Sequence, residues 1–335
     1  MKTSLLPILL ALGAAATLPA FAGTSGLSVI DTIKVGGDGG WDYAAVDATT
    51  HKLYVAHKTS IASVDLATKT ANANFATADG AHIGLPIHDG ADVLITNGKA
   101  NTVTINNAMT GAVTATIATD SKPDAALLDS ATGHVFVMAN DGNKVDVIDV
   151  DADKVLANIA VGGAAESGAS DGQGLVFTHL EDKDAIVVID ARAMTVKATY
   201  ALNDCSEPSG LAFVAKGRLI LSACKNGTAR VTNADTGAEV ASLPIGQRPD
   251  GALYDDKAML GYIPCGDGTL SVISFAGNTP AVVDVIATKA GARTGAIDPA
   301  TGYIYLPTAD LGPPATPGDR PSIIPGTFEV LVVGK

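Results

Sequence analysis

The chain has 335 residues, with 35 Asp and Glu against 22 Lys and Arg, for a formal net charge of −13. That balance repels phosphate backbones, and no run of Lys and Arg offers a local exception, so nucleic acid is not an expected partner. Beyond the N-terminal segment no stretch approaches the length of a spanning helix, so membrane insertion is not expected.

Residues 1–22 read as a secretory signal. Lys2 gives the positive start, Leu5 to Leu18 the apolar run, interrupted at Pro7, and Ala20-Phe21-Ala22 the small-x-small cleavage site. The expectation is cleavage before Gly23 and one exported domain over residues 23–335, periplasmic in a source with two membranes and secreted otherwise. Next comes an apolar segment, Leu27-Ser-Val-Ile-Asp-Thr-Ile-Lys34, and then the chain repeats. Equivalent positions fall at Val35, Thr77, Thr119, Val161, Asn203 and Ile245, each 42 apart, and at Thr288, 43 further on. Each unit begins with a short apolar strand after a turn. A second strand follows (Leu53–Ala56, Val135–Met138, Leu219–Ser222), then a third (Val145–Asp149, Ile186–Asp190) and a fourth (Val113–Ile117, Val240–Pro244). Four short strands in about 40–45 residues mark a propeller blade.

The last unit supplies an inner strand near Thr294–Asp298, a second at Tyr303–Leu306 and a third at Phe328–Val333, but no fourth. Residues 27–34 align with the fourth strands of the other units. They are expected to complete the last blade by pairing with the C-terminal strand, which closes the ring and removes an open edge. Six full units and one shared unit predict an all-β, seven-bladed β-propeller. An open solenoid would have no use for an orphan strand matched to the far end.

The repeats resemble the YVTN-type (YncE-like) propellers in Leu53-Tyr-Val-Ala56, Val145–Asp149 and Ile245-Gly-Gln-Arg-Pro-Asp250. The likeness covers the whole mature chain. Cys205-Ser-Glu-Pro-Ser-Gly-Leu-Ala212, Tyr305-Leu-Pro-Thr308 and Pro325-Gly-Thr-Phe328 also resemble a subgroup of exported bacterial propellers with no assigned reaction. The resemblance implies the fold. For function it implies only a range, from binding of proteins, surfaces or nucleic acid to lactonase, lyase or electron-transfer subunit roles.

Propeller geometry places the starts of the innermost strands at one mouth of the central channel. Aligning the repeats puts Asp42, His82, Asp124, Glu166, Ser209, Asp250 and Arg293 in a ring there. Polar groups converging on a concave mouth suggest a ligand site, and a water-filled polar channel is the plain alternative. The excess of carboxylates favours a cation, an amine or a hydroxylated small molecule. If the chain is an enzyme, Glu166 or Asp124 would serve as general base, His82 as proton shuttle and Arg293 as electrophile.

His57 and His179 share one repeat position after the second strand, in blades one and four. With His82 they are the candidates for a metal centre, but blades one and four face each other across the channel, so no joint centre is expected. His51, His88 and His134 map to turns on the opposite face. Cys205 precedes the inner strand of blade five and Cys224 follows its antiparallel neighbour, which predicts a disulfide. Cys265 is left over, as a buried free thiol or a rival partner for Cys224. A Pro-rich loop, residues 307–326, leaves the second strand of the last blade on the ring face. It is placed to cover the mouth, contact a partner or strap blades together.

No phosphate-cradling loop, CxxCH haem site, HExxH helix or nucleophile elbow is present, so no cofactor is predicted. The leading expectation is an exported binding propeller engaging a small molecule or a protein through the ring face. The alternatives are a lactonase- or lyase-type enzyme working in the funnel and a scaffold subunit for a periplasmic redox partner.

Overall fold

The computed structural model describes residues 25–316 and 320–335. The expected signal segment, residues 1–22, lies outside these. Seven four-stranded antiparallel sheets stand around one axis. From inner to outer strand, blade 1 comprises 44–47, 52–57, 60–65 and 70–77, and blade 2 comprises 81–87, 92–97, 102–107 and 113–118. Blade 3 spans 123–160, blade 4 165–201, blade 5 208–244 and blade 6 253–287 in the same order. Blade 7 combines 296–297, 304–308 and 329–334 with the N-terminal strand 28–34. That strand runs antiparallel to the C-terminal one, from Ser28 opposite Gly334 to Lys34 opposite Glu329. The expected closure is therefore present, within two residues of each predicted strand limit. Among the described residues there is no α-helix, only 3₁₀ turns at His88–Gly90 and Glu181–Lys183, and no helix long and apolar enough to cross a membrane.

Local chemistry explains the regularity. Turns between first and second strands carry an Asp whose carboxylate accepts from a Thr hydroxyl three residues on, in Asp47/Thr50, Asp129/Thr132 and Asp298/Thr301. Turns between third and fourth strands repeat the device in Asp65/Thr68, Asn107/Thr110 and Asn233/Thr236. Every outer strand pair also breaks register once, as at Val147/Ile148 in blade 3 and Val29/Asp31 in blade 7. Such bulges increase the twist that lets flat blades pack radially.

Middle strands are apolar on both faces because each blade is sandwiched by two others. Leu53 to Ala56 and Val135 to Ala139 are wholly buried, whereas the outer strand 70–77 alternates. The core divides into seven clusters, each spanning two adjacent blades. One of them joins blade 7 to blade 1 through Phe328, Val330 and Tyr305 against Leu53, Val55 and Val64. Seven interfaces for seven blades is the packing signature of a closed ring.

The Pro-rich loop straps blades 7 and 1 together. Leu311–Gly312 pairs with Ser322–Ile323, and Leu311 and Ile323 pack on the cluster containing Trp41. Gly326 N–H donates to Gly37 O at 3.0 Å, and Lys289 pairs with Asp310 at 2.5 Å. Residues 317–319 of this loop lie outside the described residues.

Cys205 and Cys224 form the expected disulfide, with Cα atoms 5.2 Å apart, and Cys265 is a buried free thiol. Burial pushes the Cys265 thiol up to about 12. Native protein is therefore expected to give no reaction with a thiol reagent, and unfolded, unreduced protein one thiol per chain. Replacing Cys205 and Cys224 by Ser opens a loop with a sequence separation of 19. By loop entropy this should cost about 3 kcal/mol in a denaturant titration.

Candidate functional site at the channel mouth

Four of the seven inner strands, in blades 2 to 5, are six or seven residues long. Those of blades 6, 7 and 1 pair with their neighbours over only three, two and four residues. Their leading segments, 246–252, 288–295 and 35–43, instead bond sideways around the mouth. Ser209 Oγ donates to Pro249 O at 3.1 Å, and Asp250 N–H to Arg293 O at 3.1 Å. Thr294 Oγ1 then donates to Asp42 O at 2.8 Å, and Tyr43 N–H to His82 O at 3.0 Å. This belt ties blades 5, 6, 7, 1 and 2 in series, and fixes the backbone that carries the ring side chains.

On that belt, His82 Nδ1 lies 2.7 Å from Asp42 Oδ2 and 3.2 Å from Asp124 Oδ1. Donor atoms of the three residues all fall within 4.8 Å of one another, close enough to surround one ion. Arg293 Nε donates to Asp250 Oδ2 at 2.8 Å and its Nη2 to Trp41 O at 3.0 Å, with the guanidinium 5.6 Å from the Trp41 ring centroid. Glu166 is held by neutral donors, Tyr43 Oη at 3.1 Å and Asn140 Nδ2 at 3.0 Å. Ser209 is fully buried, and its hydroxyl is part of the belt rather than the channel surface.

Tyr43 was not among the sequence candidates, yet it organises the site. It projects from blade 1 to Glu166 of blade 4, on the far side of the axis, and packs against apolar residues of blades 2 to 4. Below it lies a cavity of about 140 Å³ lined by Ala125, Ser167, Gly210, Gly251 and Gly295. Burial, followed by the charges of Glu166, Asp250, Asp124 and Asp42, raises the phenol well above its ordinary range. All four ring carboxylates thus act on one hydroxyl, which donates to only one of them.

The electrostatics follow from that crowding. Burial pushes Glu166 well above the usual carboxylate range, with Asp124 the next cause. Burial lifts Asp124 to about 7 against the pull of His82, and raises Asp250 against the pull of Arg293. Burial alone would lower His82, but the Asp42 hydrogen bond and the Asp124 charge outweigh it, and the imidazole is raised. Each of these shifts has the same sign for stability. The folded state holds protons that the unfolded chain releases, so stability falls as pH rises through the window from 3.8 to about 7 set by Asp124. These groups are expected to open a gap in melting temperature in favour of pH 5.5 over pH 8 at equal ionic strength, opposed by His179, which burial lowers to about 3 and which therefore favours the alkaline end. Asp124→Asn should narrow that gap by removing one charge, worth on the order of 1 kcal/mol at the alkaline end. An unchanged gap would contradict the assigned crowding.

The other histidines do not join this site. His57 stacks on Phe328 with centroids 4.3 Å apart between blades 1 and 7. His179 is fully buried between blades 4 and 5, with Nε2 2.9 Å from Ser222 Oγ, and burial lowers it to about 3. They share no ligand sphere with each other or with His82. His51, His88 and His134 sit at first-to-second-strand turns, as expected.

No family model matches this chain, and no curated protein matches it. Solved structures do. One is Kuenenia stuttgartiensis hydrazine synthase, at TM-score 0.69 and 16% identity over 80% of this chain and 92% of that one. Another is a chain of a mitotic checkpoint complex, at TM-score 0.71 and 15% identity over 91% and 96%. At this identity the likeness establishes the propeller fold alone.

Proposed function

We propose that this chain is an exported binding propeller of the YVTN type that receives a small cationic ligand, a protonated amine foremost, at the channel mouth. The observation that carries the reading is the gathering of Asp42, Asp124, Glu166 and Asp250 around the Tyr43 hydroxyl, with His82 and Arg293 as the counter-charges in direct contact. A cation entering there displaces protons that burial favours on Asp124, Glu166 and Asp250, and gains charge-assisted hydrogen bonds in a partly desolvated site. The export signal in residues 1–22 and the disulfide support an oxidising compartment.

The enzyme reading would require His82, Glu166 and Arg293 to face one substrate. Instead Arg293 is engaged by Asp250 and Trp41 O, and Glu166 by Tyr43 and Asn140. That division of partners favours binding over catalysis. Thermal-shift screening at pH 7.5 with alkylamines, diamines, divalent metals and uncharged polyols tests the proposal. A cation at 100 times its Kd should stabilise the chain by about 2.7 kcal/mol, and Glu166→Gln should weaken the response. A divalent metal acting alone would assign the site to Asp42, His82 and Asp124. Stabilisation by polyols alone, or by none of the cations, would refute the reading.

A further inference from the structure

Beside the mouth, on the same face, a groove of about 480 Å³ crosses blades 1 to 3. Its walls carry Lys58, Lys99 and Lys122, with Asn101, Ser121, His82 and one acid, Asp141, between them. Three lysines in one groove stand out on a chain of net charge −13. Elsewhere on this face, Lys225 pairs with Glu181 and Glu207, and Lys289 with Asp310 and Glu329. Among the described residues neither Lys58 nor Lys99 has an ion-pair partner, and Lys122 has Asn140 Oδ1 at 3.1 Å and a loose contact with Asp141 at 3.6 Å.

The backbone around these lysines is fixed. Ala81 N–H donates to Lys58 O at 2.9 Å, Gly98 N–H to Gly80 O at 2.8 Å and Lys122 N–H to Asn101 Oδ1 at 2.9 Å. The stems are constrained too, since Lys58 lies against Gly39 and Lys99 against Gly80, where any added Cβ would collide with them. Ordering long side chains over glycine surface lowers the entropy lost when their ammonium groups close on a ligand. His82 belongs to both places. It lines the groove and holds Asp42 and Asp124 at the mouth, so the two are adjoining halves of one surface.

From this we infer that the lysine groove is an anion subsite, and that the two halves together take a dipolar ligand, its ammonium at the carboxylate ring and its carboxylate at Lys58, Lys99 and Lys122. A carboxylate fits better than a phosphate, because a second negative charge would be repelled by the four ring acids next door. The ammonium end rests on the reading proposed above; the anion end rests on the groove alone.

Calorimetry at pH 7.5 tests it with three matched series: ω-amino acids from glycine to 6-aminohexanoate, alkylamines of equal length, and alkanoates of equal length. The protein is compared with its K58M/K99M variant, which keeps the apolar stems and removes the charges. The best amino acid is expected to bind at least about tenfold more tightly than its matched amine. That advantage should vanish in the variant while amine affinity stays unchanged. Equal affinity for amino acid and amine, or an advantage that survives the double substitution, overturns the inference and leaves the mouth reading standing. If no amine binds, the mouth reading fails, and the alkanoates decide the groove: binding lost in K58M/K99M supports an anion subsite, and no binding overturns it.

Discussion

A chain beginning at Val35 is expected to lose its cooperative fold. Strand 28–34 contributes the whole outer edge of blade 7, with six residue pairs against 329–334 and Ile33 buried in the cluster that joins blades 7 and 1. At about 1 kcal/mol for each backbone hydrogen bond, plus about 2 kcal/mol for burying Ile33, the truncation removes roughly 5 kcal/mol or more. That is comparable to the net stability of a typical domain. It also exposes the ladder groups of 329–334, an edge that invites pairing between chains. The expected result is a broad, early melting transition and concentration-dependent association, read by calorimetry and light scattering. A truncated chain that melts like the full one, as a monomer, would mean the strand is an accessory rather than the clasp.

Arg293→Met should produce the largest effect of any single substitution at the mouth. It removes the hydrogen bonds to Asp250 and Trp41 O, and the contact with the Trp41 ring. Asp250 would then remain in a crowded site without its counter-charge, a loss of about 2–4 kcal/mol. The pH dependence identifies the cause. Burial already raises Asp250, and without the guanidinium its folded value moves further above the unfolded one. The variant's stability therefore falls more steeply than the parent's as pH rises, and the deficit shrinks in acid, where Asp250 takes a proton. Urea titrations at pH 5 and pH 8 compare the two. A deficit equal at both pH values would assign the loss to packing on Trp41 alone.

The ring architecture was legible because each blade repeats the same strand spacing, and because residues 27–34 match strands that lie far away in sequence. The ring positions were legible for the same reason, since the repeat aligns Asp42, His82, Asp124, Glu166, Asp250 and Arg293. What their side chains do was less so. Ser209 aligns with them, but its short hydroxyl reaches only the neighbouring backbone. Tyr43 was missed although a signal exists. The positions equivalent to it hold Ile83, Ala125, Ser167, Gly210, Gly251 and Thr294, so one aromatic stands in register with six smaller residues at the axis. The lysine groove had no such signal, because Lys58, Lys99 and Lys122 come from three blades and become neighbours only when those blades are wound side by side. Trp41, the one tryptophan of the chain, stacks with Phe328 at 6.1 Å and forms the wall behind Arg293.

The central claim is that the crowded acids at the mouth are a receptor for positive charge. A crystal structure with a brominated alkylammonium, located by the anomalous signal of bromine, tests it most directly. The account predicts the ammonium nitrogen within about 3 Å of carboxylate oxygens of Asp42, Asp124, Glu166 or Asp250, with the hydrocarbon leaving toward the lysine groove. A saturating ligand found on any other surface, or a mouth that stays filled with water beside it, would contradict it.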